Sequence, residues 1–157
     1  MDISNRVAIV TGSARGIGQA IALKLAEVGA TVVVNDIGEA EPLESVAEEI
    51  RAMNRQSLAV IADVSSSSEV ANLVDKTINT YGKVDILVNN AGITRDQLVL
   101  RMSDEDWDTV LNVDLKSAFF CTRAVLRSML KQRWGRIISI TSIVGEVGNP
   151  GQANYAG

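Results

Sequence analysis

The amino-acid sequence predicts an α/β protein built as a doubly wound parallel sheet. Three observations carry that expectation. Short β-branched runs recur along the chain, each followed by a segment with helical periodicity. The runs are continuously apolar rather than alternating, which marks strands buried on both faces. No linker, repeat or low-complexity stretch interrupts the series, so residues 1–157 read as a single domain. Such alternation requires parallel pairing through right-handed crossovers, with helices on both faces of the sheet. The expected strand order is 3-2-1-4-5, the doubly wound pattern without its C-terminal strands.

The first strand is the run Val7-Ala8-Ile9-Val10. After a glycine-rich turn, Ile17, Ile21, Leu25 and Val28 recur at helical spacing, and Gly29 closes that helix. Thr31-Val32-Val33-Val34 is the second strand, followed by a helix over about 39–53 with Pro42 in its first turn. Residues 58–61 form the third strand. Ser66 and Glu69 then make a capping-box pattern ahead of Val70, Leu73, Val74 and Ile78. Residues 85–88 form the fourth strand. Ser103 and Asp106 open a single long helix over 104–132, and residues 136–141 form the fifth strand.

Composition excludes several functions. Hydrophobic residues are 46% and charged residues 22%, ordinary for a folded soluble domain. A net charge of -4 disfavours nucleic acid and anionic membrane surfaces as partners. Histidine is absent, which removes histidine-based triads and most zinc sites, so no metal centre is expected. The single cysteine, Cys121, sits in an apolar helical stretch and reads as a reduced core thiol. The N-terminus lacks a signal-peptide apolar region, and no run is long enough to span a membrane. A cytoplasmic protein is expected.

The chemistry is concentrated at strand ends. The turn Thr11-Gly12-Ser13-Ala14-Arg15-Gly16-Ile17-Gly18 joins a strand directly to a helix, where amide groups and the dipole favour a phosphate. Gly12 permits the tight turn, Gly16 lets backbone approach a pyrophosphate, and Gly18 permits close helix–strand packing. Asp36 ends the second strand 20 residues after Gly16, near the ~20-residue offset of an acidic ribose ligand. Its charge would repel a 2′-phosphate and so favours NAD(H). Arg15 pulls the other way, since a basic residue there can pair with that phosphate and admit NADP(H). Asp63-Val64 follows the third strand and reads equally as an ordinary turn. Asn89-Asn90-Ala91-Gly92 ends the fourth strand, with small residues that let backbone lie against a ligand.

The GxxxGxG spacing at Gly12, Gly16 and Gly18, the Asn89–Gly92 signature, and the Ser142 to Tyr155 interval of 13 residues together resemble the short-chain dehydrogenase/reductase family. The resemblance runs from Val7 to Gly157. It implies a Rossmann-like NAD(P)-binding domain, with Ser13, Arg15, Ile17, Asp63, Val64, Asn90, Ala91 and Gly92 among the cofactor contacts. It also implies an oxidoreductase in which Tyr155 acts as general acid, Ser142 donates to the substrate carbonyl, and Asn112 holds a relay water at a helix kink. Each has a plainer reading, as a packing aromatic, a turn residue and a surface helix residue.

The stretches Ala91-Gly92-Ile93-Thr94-Arg95-Asp96 and Gly148-Asn149-Pro150-Gly151-Gln152-Ala153-Asn154 are similar to the family's 3-oxoacyl-[acyl-carrier-protein] reductases of fatty acid synthesis. These usually take NADPH, so Asp36 departs from their pattern. The resemblance implies a 3-oxoacyl thioester substrate, carrier-protein docking at Arg133, and a homotetramer formed through the long helices. Arg133 reads equally as a cation placed at a helix C-terminus. Two alternatives remain open: a dehydrogenase of another secondary alcohol or ketone, and an inactive nucleotide-binding module. The family lowers its tyrosine pKa with a lysine four residues further on, and this chain ends at Gly157, two residues short of that position. A truncated domain without useful reductase activity is therefore the expectation for these 157 residues.

Overall fold

A computed structural model describes residues 3–157. Five strands, β1 (Val7–Val10), β2 (Thr31–Asp36), β3 (Ser57–Ile61), β4 (Ile86–Asn89) and β5 (Arg136–Ser139), form one parallel sheet in the order β3-β2-β1-β4-β5. This is the expected order. Period-two side-chain alternation explains why the strands read as unbroken apolar runs. Ala8, Val10, Val32, Val34, Ile86 and Val88 feed one core, shared with α1 (Gly16–Glu27) and α2 (Ala40–Ala52). Ile9, Val33 and Leu87 feed the opposite core, against α3 (Ser67–Tyr81) and α5 (Ser117–Gln132). Each fully buried Val, Leu or Ile contributes roughly 1.5–3 kcal/mol, so both faces hold the sheet.

Local chemistry sets the element ends. Ser66 Oγ accepts from the Glu69 N–H, and Ser103 Oγ accepts from the Asp106 N–H at the start of α4 (Asp104–Val110). The continuous helix expected over 104–132 is interrupted by a π-helical turn at Leu111–Lys116, between α4 and α5. Two side-chain bonds accompany the turn. Asp114 Oδ1 accepts from the Ile93 N–H at 2.9 Å, and Ser117 Oγ donates back to the Val113 carbonyl. Back-bonding of this kind bends helices. The fifth strand is also shorter than the expected 136–141. Ile140 N–H still reaches the Asn89 carbonyl at 2.9 Å, after which the chain turns into α6 (Val144–Val147) and then α7 (Ala153–Ala156).

The apolar set on α5 and the preceding turn divides cleanly. Val125 is buried and Phe120 partly buried, whereas Leu115 and Phe119 are 64% and 56% exposed. β5 pairs on one side only, and its Ile137 and Ile138 remain accessible. Cys121 is buried, and burial pushes its thiol up to about 12, so it stays protonated. Among the described residues no helix is long and apolar enough to cross a membrane, and no cluster of potential metal ligands occurs.

At the amino end of the sheet a fully buried carboxylate ties the strands together. Asp85 accepts from Arg6 Nη1 at 3.0 Å, from Lys83 Nζ at 2.9 Å and from the Val7 N–H at 2.9 Å. Its own N–H donates to the Val7 carbonyl, and its carbonyl accepts from Arg136. Two guanidiniums contact the Trp134 ring, with Arg6 3.7 Å and Arg136 4.9 Å from its centroid. Removing one member of a buried ionic cluster leaves its partners desolvated and unpaired. Asp85→Ala is expected to lower the unfolding free energy by about 2–4 kcal/mol in urea titrations. Exchanging an exposed acid such as Glu48 for alanine should change it by less than about 0.5 kcal/mol.

Candidate functional site

The crevice at the carboxyl ends of β1 and β4 is where the strand order reverses direction, the place where doubly wound sheets bind ligands. Its shape follows from one side chain on each rim. Thr11 is buried, and its Oγ1 accepts from the Asn90 N–H at 3.0 Å and the Ala91 N–H at 3.1 Å. Asn90 answers with its side chain, donating Nδ2 to the Thr11 carbonyl at 3.0 Å and the Gly12 carbonyl at 2.9 Å. The glycine turn and the turn after β4 are thereby one rigid unit.

The glycines fit that unit. A Cβ on Gly18 would lie 2.2 Å from the Gly12 carbonyl oxygen and 2.5 Å from Asn90 Nδ2. One on Gly12 would lie 2.8 Å from Ala91 Cα. Gly16 differs: its φ is +60, and the space beside it is open. Arg15, the N-cap of α1, supplies no side-chain hydrogen bond to the helix. Among the described residues no side chain caps the first-turn amides of α1, and the positive end of the helix dipole meets the crevice.

The crevice has a volume of about 470 Å3. Of the cofactor residues expected from the sequence, Gly12, Arg15, Ile17, Gly18, Asp36, Asp63, Val64, Asn90, Ala91 and Gly92 line it. Gly16 and Ser13 do not. Ser13 is fully buried, with Oγ 3.0 Å from the Val10 carbonyl and accepting from the Asn35 N–H at 3.0 Å. That hydroxyl is bonded to backbone groups of β1 and β2. Asp36 is half-buried at the tip of β2, its carboxylate accepting from the Ala14 N–H at 3.1 Å and the Ile37 N–H at 2.8 Å. Asp63 Oδ1 accepts from the Ser65 N–H at 2.8 Å and hydroxyl at 2.7 Å, while the Asp63 N–H donates to Glu69.

The remaining expected residues lie on elements that meet beside the crevice. α7, which carries Tyr155, packs against α4, the π turn and α6. Asn154, buried next to Tyr155, donates Nδ2 to the Arg95 carbonyl at 3.0 Å and to the Asp106 carbonyl at 3.3 Å. Ser142 Oγ accepts from the Val144 N–H at 3.2 Å. Asn112 lies on the π turn, where its Oδ1 accepts from Lys116 Nζ at 3.2 Å.

The polar residue on the π turn that reaches the crevice loops is Asp114, which the sequence did not single out. Val113 beside it lines the crevice, as do Asn35 and Ile93. Asp114 could not be found from helical periodicity, because the π insertion shifts its direction. Asn35 did leave a signal: a polar residue closing an otherwise apolar strand.

Two outcomes test this geometry. Gly18→Ala should destabilise the fold by on the order of 3 kcal/mol, because backbone rather than a movable side chain meets the new methyl. Gly16→Ala should cost about 1–2 kcal/mol through its left-handed φ alone, measured for both by denaturant unfolding. For Asp114, burial raises the carboxyl pKa, against the lowering effect of the Ile93 N–H. A raised folded-state pKa means that stability falls as pH rises from the ordinary carboxylate range through the raised value. Asp114→Asn should therefore be the more stable form at about pH 7, with the difference fading toward about pH 4 in thermal unfolding.

Comparison with known proteins agrees with the geometry. The short chain dehydrogenase family profile matches residues 6–157. A 3-oxoacyl-[acyl-carrier-protein] reductase FabG of Staphylococcus epidermidis is 50% identical over 151 residues, 96% of this chain and 62% of the relative. A 3-oxoacyl-[acyl-carrier-protein] reductase of Synechocystis sp. is 49% identical over 154 residues, 98% of this chain and 62% of the relative. The crystal structure of a candidate short-chain alcohol dehydrogenase from Sinorhizobium meliloti superposes with a TM-score of 0.94 at 37% identity, covering 99% of this chain and 61% of that one. This chain thus spans about three-fifths of the length of these relatives. With sheet order, glycine turn and profile all in agreement, the chain belongs to the short-chain dehydrogenase family.

Proposed function

We propose that this chain is the nucleotide-binding domain of an oxidoreductase that uses a nicotinamide dinucleotide to interconvert a 3-oxoacyl thioester and its 3-hydroxyacyl form. The observation that carries the reading is the crevice itself, where first-turn amides of α1 lie near the Asp36 carboxylate. Those residues fit such a cofactor. The helix N-terminus at Ile17 and Gly18, which line the crevice, suits a diphosphate, and the carboxylate suits the hydroxyls of the adjoining ribose. Asp63 and Val64, which also line the crevice, would take the base.

When bound, a nicotinamide dinucleotide supplies or accepts a hydride. The chain's own groups handle binding and the proton. Tyr155 would hold the proton for the carbonyl oxygen, and Ser142 would orient that oxygen with its hydroxyl. General acid help of this kind is worth typically ~10²–10⁴ in rate. Asn112, on the π turn, is the proposed holder of a relay water, with Asp114 fixing the Ile93 backbone beside it. Asp36 favours NAD(H), because a carboxylate repels a 2′-phosphate by on the order of a few kcal/mol at ~4 Å. Arg15, exposed at the crevice mouth, opposes that preference.

The thioester substrate is supported by the relatives that act as 3-oxoacyl-[acyl-carrier-protein] reductases at about half identity. Arg133 is exposed at the end of α5 and is the proposed contact for an acidic carrier protein. The exposed Leu115, Phe119 and Leu130 along the π turn and α5 suit a homotetramer interface, and a single free cysteine, Cys121, suits a reducing compartment such as the cytoplasm. A second reading, a dehydrogenase of another secondary alcohol, is favoured by Asp36 and by the similarity to the Sinorhizobium meliloti structure.

Calorimetric titration tests the binding reading without requiring turnover. NADH should bind, and Asp36→Asn should weaken it by about tenfold, the loss of one charge-assisted contact of ~1.4 kcal/mol. Absence of binding by both NADH and NADPH would refute the reading. In a protein form that reduces 3-oxoacyl thioesters, Tyr155→Phe should cut kcat by about 10²–10⁴ while leaving nucleotide affinity unchanged.

A further inference from the structure

Asn35 is a buried polar residue among those that line the crevice. It stands one position before Asp36 and is 1% exposed. Its side-chain amide donates to the Val60 and Ala62 carbonyls, both at 3.0 Å, at the end of β3. Its backbone N–H donates to Ser13 Oγ at 3.0 Å, and its carbonyl accepts from the Ser13 N–H at 2.9 Å. One residue thus joins the tip of β2 to the tip of β3 and to the glycine turn.

Asp36 hangs from that junction. Its carbonyl accepts from the Ala62 N–H at 3.0 Å, and its carboxylate accepts from the Ala14 N–H at 3.1 Å. Packing alone does not call for an amide here, since Val32, Val33 and Val34 fill the preceding positions of the strand. A buried amide is costly unless bonded, and it is retained where its bonds fix a geometry.

We infer that Asn35 is a specificity-determining positioning residue, which holds the Asp36 carboxylate against the ribose subsite so that a bare 2′-hydroxyl is preferred to a 2′-phosphate. The inference rests on the reading of the crevice as a dinucleotide site. A carboxylate held at the rim gains full bonds from a ribose diol and imposes full repulsion on a phosphate. A carboxylate free to swing into water does neither, because solvent screens it. Loosening the tether therefore compresses the ratio of the two affinities, whereas a purely structural role would scale both alike.

The test titrates the chain with NADH and with NADPH as wild type, Asn35→Ser, Asp36→Asn and the double variant. Wild type is expected to prefer NADH by about tenfold or more, and Asn35→Ser to reduce that ratio by about fivefold. The double variant should show the same ratio as Asp36→Asn alone, because Asn35 acts through the carboxylate. Should Asn35→Ser fail to fold, Asn35→Thr matches the β-branched neighbours and reads the same ratio. An unchanged ratio, with both affinities falling together, overturns the inference. So does a further change of ratio in the Asp36→Asn background, or a wild type that does not prefer NADH; in each case dinucleotide binding itself still stands. Binding of neither nucleotide by wild type sinks the binding reading instead, and is distinguishable from all of these.

Discussion

The reciprocal hydrogen bonding of Thr11 and Asn90 is the constraint on which the rest of the site depends. Two loops that leave neighbouring strands in the same direction have no ladder to hold them beyond the sheet. Here a threonine hydroxyl accepts two amides from one loop, and an asparagine amide donates to two carbonyls of the other. Four bonds among buried or half-buried partners leave little freedom, which is why the added Cβ of Gly12 or Gly18 has nowhere to go. The amides of α1 are preorganised by the same lock. A diphosphate arriving there would meet dipoles already aligned, with no ordering left to do.

The sheet is divided along its length by chemistry. Its middle is hydrocarbon on both faces, and each end is closed by a different kind of polar group. The amino end uses charge, with Asp85 collecting a guanidinium, an ammonium and an amide. The carboxyl end uses neutral donors and acceptors, through Thr11, Ser13 and Asn35. Charged side chains still reach this end, since Arg15, Asp36 and Asp63 line the crevice, with Asp36 at the point proposed for a sugar.

Much of this could be read in the residues before any coordinates. The strand runs, the glycine turn and the serine caps at Ser66 and Ser103 are local signals, settled within a few residues by sterics or one hydrogen bond. What could not be read depends on contacts across the chain. Helical periodicity gave no sign of the π turn, although the family resemblance implied a kink at Asn112; the bond between Asp114 and Ile93, 21 residues earlier, is a contact that periodicity does not encode. The hydroxyl of Ser13 is bonded to the backbone of Val10 and Asn35, 3 and 22 residues away, and the second of these contacts is not local. Phe119 and Phe120 are adjacent and chemically identical, yet the helix turns one outward and buries part of the other.

The two tryptophans sit in different settings. Arg6 and Arg136 lie over the Trp134 ring beside the ionic cluster, whereas Trp107 sits on α4, against which α7 packs. An indole contacted by cations and one that is 40% exposed differ in emission colour and in access to soluble quenchers. The molecule therefore carries a natural pair of optical gauges, one reading the integrity of the strand anchor and the other the surroundings of α4. Signals from the two diverge when these regions respond differently to a ligand or to denaturant.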